Sequence, residues 1–344
     1  MTLRRVGYLT SLAAVLCLAQ APTSHATDGA YVTRAVFGAN RLWLLSETGT
    51  LSSIDEGAHE RVDWSLPDFV LDLWTQDGAP TVLTGKSGGR HPQWQLLRWD
   101  GSRWTQRAQI DSRGDGFVGA RSYRGTTTIL TRERLINIDG RRQRVVEVSP
   151  SWASWWRLGG NASIAVNRDS VLVGINNGEW GGGLKRVDRK TGAISEVGSQ
   201  FGDPVTAMTA EPGKDNCAVV SVGLVHMLSN GGIYEVCGDT VRLLYSKPYR
   251  PAAPPGMVAL STDADTVAFF GVSAVGRDLW AAGIDGVYKL GTDGTTVSVP
   301  LPKFQRIGGT GVSFEVPQVV LVTTDVNTHK SLSGTVPLLV SRTD

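Results

Sequence analysis

One eight-residue stretch, Asn176-Asn177-Gly178-Glu179-Trp180-Gly181-Gly182-Gly183, sets two amides, a carboxylate and an indole among four glycines. These groups suit recognition of a polar ligand better than bond breaking. An indole offers a flat apolar face on which a sugar or another ring can stack. Asn176, Asn177 and Glu179 supply donors and acceptors around it. A loop carrying such residues reads as a binding turn, and the alternative is an elaborate turn with Trp180 packed on a neighbouring element. Trp152, Trp155 and Trp156 in SWASWWRLGGN form a second aromatic group with the same two readings. The candidate ligand-binding residues are therefore Asn176, Asn177, Glu179, Trp180, Trp155 and Trp156.

Catalytic and metal chemistry find less to stand on. His59, His91, His226 and His329 are scattered, and no two have the spacing of metal ligands. Asp263 and Asp265 form an Asp-x-Asp pair without the glycine and glutamate of a calcium loop. Asp72, Glu211 and Glu315 are acids that strand position alone could bring to a common channel. No metal and no cofactor are expected, and the catalytic residues stay unassigned.

The elements that must carry these groups are short strands. In Ser170–Val197, SVLVGI is an apolar strand, NNGEWGGG a wide turn, GLKRVD an alternating strand, RKTG a tight turn and AISEV a third strand. Related units begin at TRAVFGAN, FVLDLWTQDG, GFVGARSYRG, ASIAVNRD, PVTAMTAEPGKDN, TVAFFGVSAVGR and IGGTGVSFEVPQ, a period of about 40 to 50 residues. Hairpin tips such as Asp-Gly and Asp-x-x-Thr-Gly tolerate positive φ. The pattern predicts an all-β fold, a seven-bladed β-propeller with six blades the alternative. The last unit is one strand short, so a terminal strand from ATDGAYVT is expected to complete it and close the ring. Trp74, Trp94, Trp99 and Trp104 have strand-like spacing and read as packing between blades. The proline-rich SKPYRPAAPPGMVALSTDADT interrupts the period and reads as an extended surface segment.

Residues 1–26 read as a secretory signal, with Arg4 and Arg5 before the apolar YLTSLAAVLCLA and a small-x-small Ser24/Ala26 site. That run is too short to span a bilayer. Cys17 follows Leu16, where a lipoprotein signal wants a small residue. Residues 27–344 form the propeller domain, periplasmic or secreted. Loss of the signal takes the charge balance from 34 basic against 32 acidic residues to 32 against 32, since only Arg4 and Arg5 leave. A neutral chain lacks the electrostatic footprint of a nucleic-acid binder or of a polybasic membrane-surface protein. No transmembrane segment is expected, and the chain reads as a monomer. Cys217 and Cys237 remain, on successive strands flanking a turn, where opposed positions allow a disulfide; two buried thiols are the alternative. Arg132, Arg134, Arg141, Arg142 and Arg144 surround the third unit's outer hairpin. They read as a partner-binding patch or as charges that guard an exposed edge.

GINNGEWGGGLKRVDRKTG and AAGIDGVYKLGTDG resemble blades of bacterial secreted and sensor propellers, which carry strand, Asn/Gly turn, Gly-Leu/Ile-x-x-Asp and x-x-Thr-Gly repeats. The first two units depart from this pattern at the turn. The resemblance implies the fold, and such propellers host binding, scaffolding, lyase, lactonase and quinone-dependent activities. The leading expectation is a non-catalytic propeller that binds a protein partner or a cell-surface glycan. The alternative is a hydrolase or lyase acting on a polysaccharide or lactone, with carboxylates at the channel mouth.

Overall fold

The computed structural model describes residues 32–55, 61–85, 93–148, 161–198, 201–225, 228–250, 265–291, 296–300, 310–316, 319–324 and 335–339. The expected signal segment, Trp152, Trp155, Trp156, Asp263 and all four histidines considered above lie outside these residues, as does the side chain of Glu315.

The strands fall into seven antiparallel sheets whose order follows the sequence. The first holds β1 (Val32–Gly38), β2 (Arg41–Ser46), β3 (Leu51–Asp55) and β4 (Arg61–Trp64). The second holds β5 (Val70–Gln76), β6 (Ala79–Gly85), β7 (Gln93–Trp99) and β8 (Trp104–Asp111). The third holds β9 (Phe117–Tyr123), β10 (Thr126–Thr131), β11 (Arg134–Asp139) and β12 (Arg142–Glu147). The fourth holds β13 (Asn161–Val166), β14 (Ser170–Asn176), β15 (Gly182–Asp188) and β16 (Ile194–Glu196). The fifth holds β17 (Val205–Ala210), β18 (Cys217–Val225), β19 (Ser229–Cys237) and β20 (Thr240–Tyr245). The sixth holds β21 (Phe269–Val275), β22 (Asp278–Gly283), β23 (Gly286–Leu290) and β24 (Thr296–Pro300). The last sheet has three strands, β25 (Thr310–Val316), β26 (Val319–Thr324) and β27 (Thr335–Leu339).

The first strand of each sheet lies against the first strand of the next, and β25 lies against both β21 and β1. This is a β-propeller. Six of its sheets are complete four-stranded blades, which matches the alternative blade count and corrects the expectation of seven full blades. The unit that fails is the last. Among the described residues no fourth strand pairs with β25–β27, so the expected closure by a terminal strand is not seen there.

Sheets this small cannot shelter their apolar faces alone, so each covers its neighbour. Trp43 of blade one packs against Trp99 and Trp104 of blade two, with ring centroids 5.2 Å away in each case. Trp64 closes the group 4.8 Å from Trp99. Trp74 and Trp94 of blade two join Ala120, Ile129 and Ile136 of blade three in the next cluster. The four tryptophans expected between blades are thus found there. Burying each such side chain contributes roughly 1.5–3 kcal/mol.

Consecutive antiparallel strands put two kinds of connection at each end of the ring. Turns between second and third strands, and links from one blade to the next, emerge at one end, here called the upper end. Turns between first and second strands emerge at the lower end. Three of these lower turns are two-residue loops with both φ angles positive: Ala39-Asn40, Asp77-Gly78 and Arg124-Gly125. That geometry matches the twist of the paired strands. At the upper end the first strands slip register by one residue between Val32 and Arg34, Val70 and Asp72, Val205 and Ala207, and Phe269 and Gly271. Such bulges re-aim the side chains beside them.

Candidate functional site

The Asn176–Gly183 stretch forms the upper turn of blade four, closed by pairing of Asn176 with Gly182. Five of its backbone N–H groups are hydrogen-bonded. The Gly178 N–H donates to Asn176 Oδ1 at 2.9 Å, and the Gly181 N–H to the Gly178 carbonyl at 3.0 Å. The Trp180 and Asn177 N–H groups donate to the Asn177 and Gly181 carbonyls. The Gly182 N–H reaches across to the Gly202 carbonyl at 2.9 Å, fastening the turn to the link that leads into blade five. Gly181 has φ +88°, and a Cβ there would lie 2.7 Å from the Gly202 oxygen, so only glycine fits.

On this fixed base Trp180 is 84% exposed. The alternative in which it packs on the neighbouring blade is excluded. Asn177 presents the opposite anomaly: its Oδ1 is buried and has no hydrogen-bond partner. A buried acceptor without a donor is destabilising until something supplies one. Asn176 and Glu179 flank these two residues on the same turn.

A second set of polar groups, with no motif of its own in the sequence, stands on the link into blade five. Asp203 follows Gly202, and its Oδ2 accepts a 2.7 Å hydrogen bond from Asn230 Nδ2 on β19. β18 and β19 are nine residues each, against seven for β14 and β15, so the blade-five hairpin stands higher at the upper end. Its tip carries Val225 and Leu228, 45% and 51% exposed. The blade-four turn and the blade-five hairpin meet at the Gly202–Pro204 link, where the Gly202 carbonyl accepts the Gly182 N–H and the Pro204 carbonyl accepts the Gly223 N–H. The signal for the higher hairpin was the length of NCAVVSVGLVHMLSNGGIYEVC, which exceeds what a blade hairpin needs.

Of the acids expected at a channel, Asp72 and Glu211 do not converge, and the side chain of Glu315 lies outside the described residues. Asp72 is buried on β5 and fully engaged. Its Oδ1 accepts the Leu73 N–H at 2.8 Å and lies 3.0 Å from Arg34 Nε of blade one. Its Oδ2 accepts the Ala120 N–H and Arg121 Nη1 of blade three, each at 3.1 Å. It ties three blades together. Glu211 lies after the lower end of β17, so the length of the ring separates it from Asp72. Burial pushes the Glu211 carboxyl up, with Lys214 opposing and Glu235 adding to the rise. Burial acts on Glu235 too, but hydrogen bonds from Lys214, Glu211 and Arg242 hold it below the usual range. Lys214 Nζ stands 2.8 Å from Glu211 Oε1 and also contacts Glu235. The group is a charge-paired staple across the lower end of blade five.

Cys217 and Cys237 face each other on β18 and β19 and form a disulfide beside that staple. Glu211 and the two sulfurs are close together, yet bridged sulfurs offer no thiolate to a metal. Asp265 is buried, and its carbonyl accepts the Tyr249 N–H. Gly85-Lys86-Ser87-Gly88-Gly89 has the letters of a nucleophile elbow but links antiparallel strands β6 and β7, not a strand to a helix.

No protein-family model matches the chain, and no curated protein matches it. Solved structures do. The extracellular domain of the putative hybrid two-component system BT4673 from B. thetaiotaomicron aligns with a TM-score of 0.51 at 14% identity, over 92% of this chain and 38% of that one. YCF48 from Cyanidioschyzon merolae aligns with a TM-score of 0.50 at 11% identity, over 86% of this chain and 92% of that one. PorZ, a surface component of the type-IX secretion system of Porphyromonas gingivalis, aligns with a TM-score of 0.48 at 14% identity, over 85% of this chain and 35% of that one. This chain therefore spans little more than a third of the BT4673 and PorZ chains. Identities this low make the likeness one of fold, the β-propeller. Among the described residues no helix is long and apolar enough to cross a membrane.

Proposed function

We propose that this is an exported β-propeller that binds a protein partner or a cell-surface glycan at its upper end without catalysing a reaction. One observation carries the reading: Trp180 is 84% exposed on a turn in which five backbone N–H groups are hydrogen-bonded. A large indole in water has no role in the core, and a rigid base lowers the entropy lost when a ligand is held. Asn176 and Glu179 would complete the polar contacts, and Trp155 and Trp156 are proposed to extend the aromatic surface. The signal-like N-terminus and the disulfide support export.

The test is a glycan and peptide binding screen on the purified chain, repeated with Trp180→Ala and Glu179→Ala. Loss of a ligand with Trp180→Ala, at unchanged melting temperature, supports the reading. A ligand that binds both variants as it binds the parent overturns it.

A further inference from the structure

The arginine run of blade three divides into two parts. Arg134 is buried, pairs with Asp115 at 2.5 Å and also donates to the Ser112 carbonyl, so it is part of the framework. Arg141, Arg142 and Arg144 are exposed, the last two on β12, the outermost strand of its sheet. Among the described residues no carboxylate forms an ion pair with any of the three. Three other outer strands differ, although Arg107 on β8 is also exposed without a carboxylate partner among the described residues. Arg61 on β4 pairs with Asp63, Glu196 on β16 with Lys185, and Arg242 on β20 with Glu235.

The edge of β12 is open except at Glu147, against whose carbonyl the Gly192 turn of blade four packs. Residues 142–147 make backbone hydrogen bonds to β11 and, among the described residues, to no other strand. Val145 adds apolar surface, 45% exposed. Blade four limits the edge at one end, where the Lys190 carbonyl accepts Arg144 Nη2 at 3.3 Å. Blade two touches it through Gln143 Nε2 and the Gln109 carbonyl, 2.7 Å apart.

We propose that the β12 edge docks an acidic, extended peptide of a partner protein, which adds as a fifth strand to blade three. Spacing and charge favour this occupant. Arg142 and Arg144 lie two residues apart on one face, about 6.8 Å along the strand, and an added strand repeats its side chains at that interval. Alternate carboxylates then meet successive guanidinium groups, whose fork matches a carboxylate. The outward backbone groups of β12 supply the strand-to-strand hydrogen bonds. An anionic glycan has the charge but neither the amide ladder nor the two-residue repeat.

The experiment is fluorescence anisotropy on the purified chain with a labelled alternating Val-Glu peptide of about eight residues, a common strand length. Controls are the matching Val-Lys peptide, the Val-Glu peptide with alternate amides N-methylated, and a sulfated heparin oligosaccharide. The acidic peptide is expected to bind, and N-methylation to abolish binding. The Arg142→Glu/Arg144→Glu variant is expected to weaken it at least about tenfold, with circular dichroism and melting temperature unchanged because both side chains are exposed. The proposal is overturned if the Val-Lys peptide binds as well, if N-methylation has no effect, or if the heparin oligosaccharide alone binds.

Discussion

Asp72 on β5 accepts the backbone N–H of Ala120, one blade further on, at 3.1 Å. The same carboxylate meets Arg34 from the preceding blade. A single buried acid thus joins three consecutive sheets, and the bulge at the start of β5 is what turns it into the seam.

Removing that acid leaves two guanidinium groups without their shared carboxylate and two backbone N–H groups without an acceptor. Asp72→Ala is expected to lower the unfolding free energy by about 3 kcal/mol. Denaturant titration followed by circular dichroism measures this. A change below about 0.5 kcal/mol would show that the seam does not depend on Asp72.

The tryptophans divide by role. Trp99→Ala opens a cavity between blades one and two and is expected to lower stability by about 3–5 kcal/mol. Trp180→Ala removes a side chain that is 84% exposed and is expected to change stability by less than about 0.5 kcal/mol. Paired melting curves test the contrast, and equal losses would contradict it.

The Cys217–Cys237 bridge spans a sequence separation of 20 residues. The entropy of a loop that size makes the bridge worth about 3 kcal/mol. The Cys217→Ala/Cys237→Ala variant is expected to fold with a lower melting temperature by that margin. Failure of the variant to fold at all would assign the bridge a larger part than the core packing allows.

Burial raises the Tyr288 phenol far above its ordinary value, and the Asp285 carboxylate, which accepts its hydrogen bond at 2.5 Å, adds to the rise. Burial likewise raises Tyr234 and Tyr245. A phenol that stays neutral in the fold but ionises in the unfolded chain leaves stability untouched below about pH 10 and erodes it above. Tyrosinate absorbance is therefore expected to rise late, together with loss of the far-ultraviolet signal. Full ionisation of all tyrosines in a folded chain would refute the buried placement of Tyr288.

The repeated unit was readable in the sequence because glycine and Asp-Gly turns bracket aliphatic strands at a regular interval, as in GLKRVDRKTG. The pairing of Cys217 with Cys237 was readable for the same reason, since both flank one hairpin. The incomplete last unit was recognised, but a seventh full blade was still expected. Nothing in GTVPLLVSRTD or ATDGAYVT encodes which strand pairs with which. The upper end of blades four and five was half readable. Trp180 and Asn177 stand together in one turn, whereas Asp203 and Asn230 lie 27 residues apart and meet only because blade five follows blade four around the ring. Strand position alone made Asp72 a channel candidate; its partners Arg34 and Arg121 belong to two other blades and leave no mark beside it in the sequence.

The proposed function requires that a ligand meet the chain at Trp180. Fluorine NMR of the 5-fluorotryptophan-labelled protein observes the chain's 11 tryptophans separately, and Trp180→Phe assigns the one that matters. Adding a ligand found in the binding screen should shift the Trp180 resonance while those of the buried Trp43, Trp74 and Trp99 stay in place. A bound ligand that leaves the Trp180 resonance where it was would contradict the central claim.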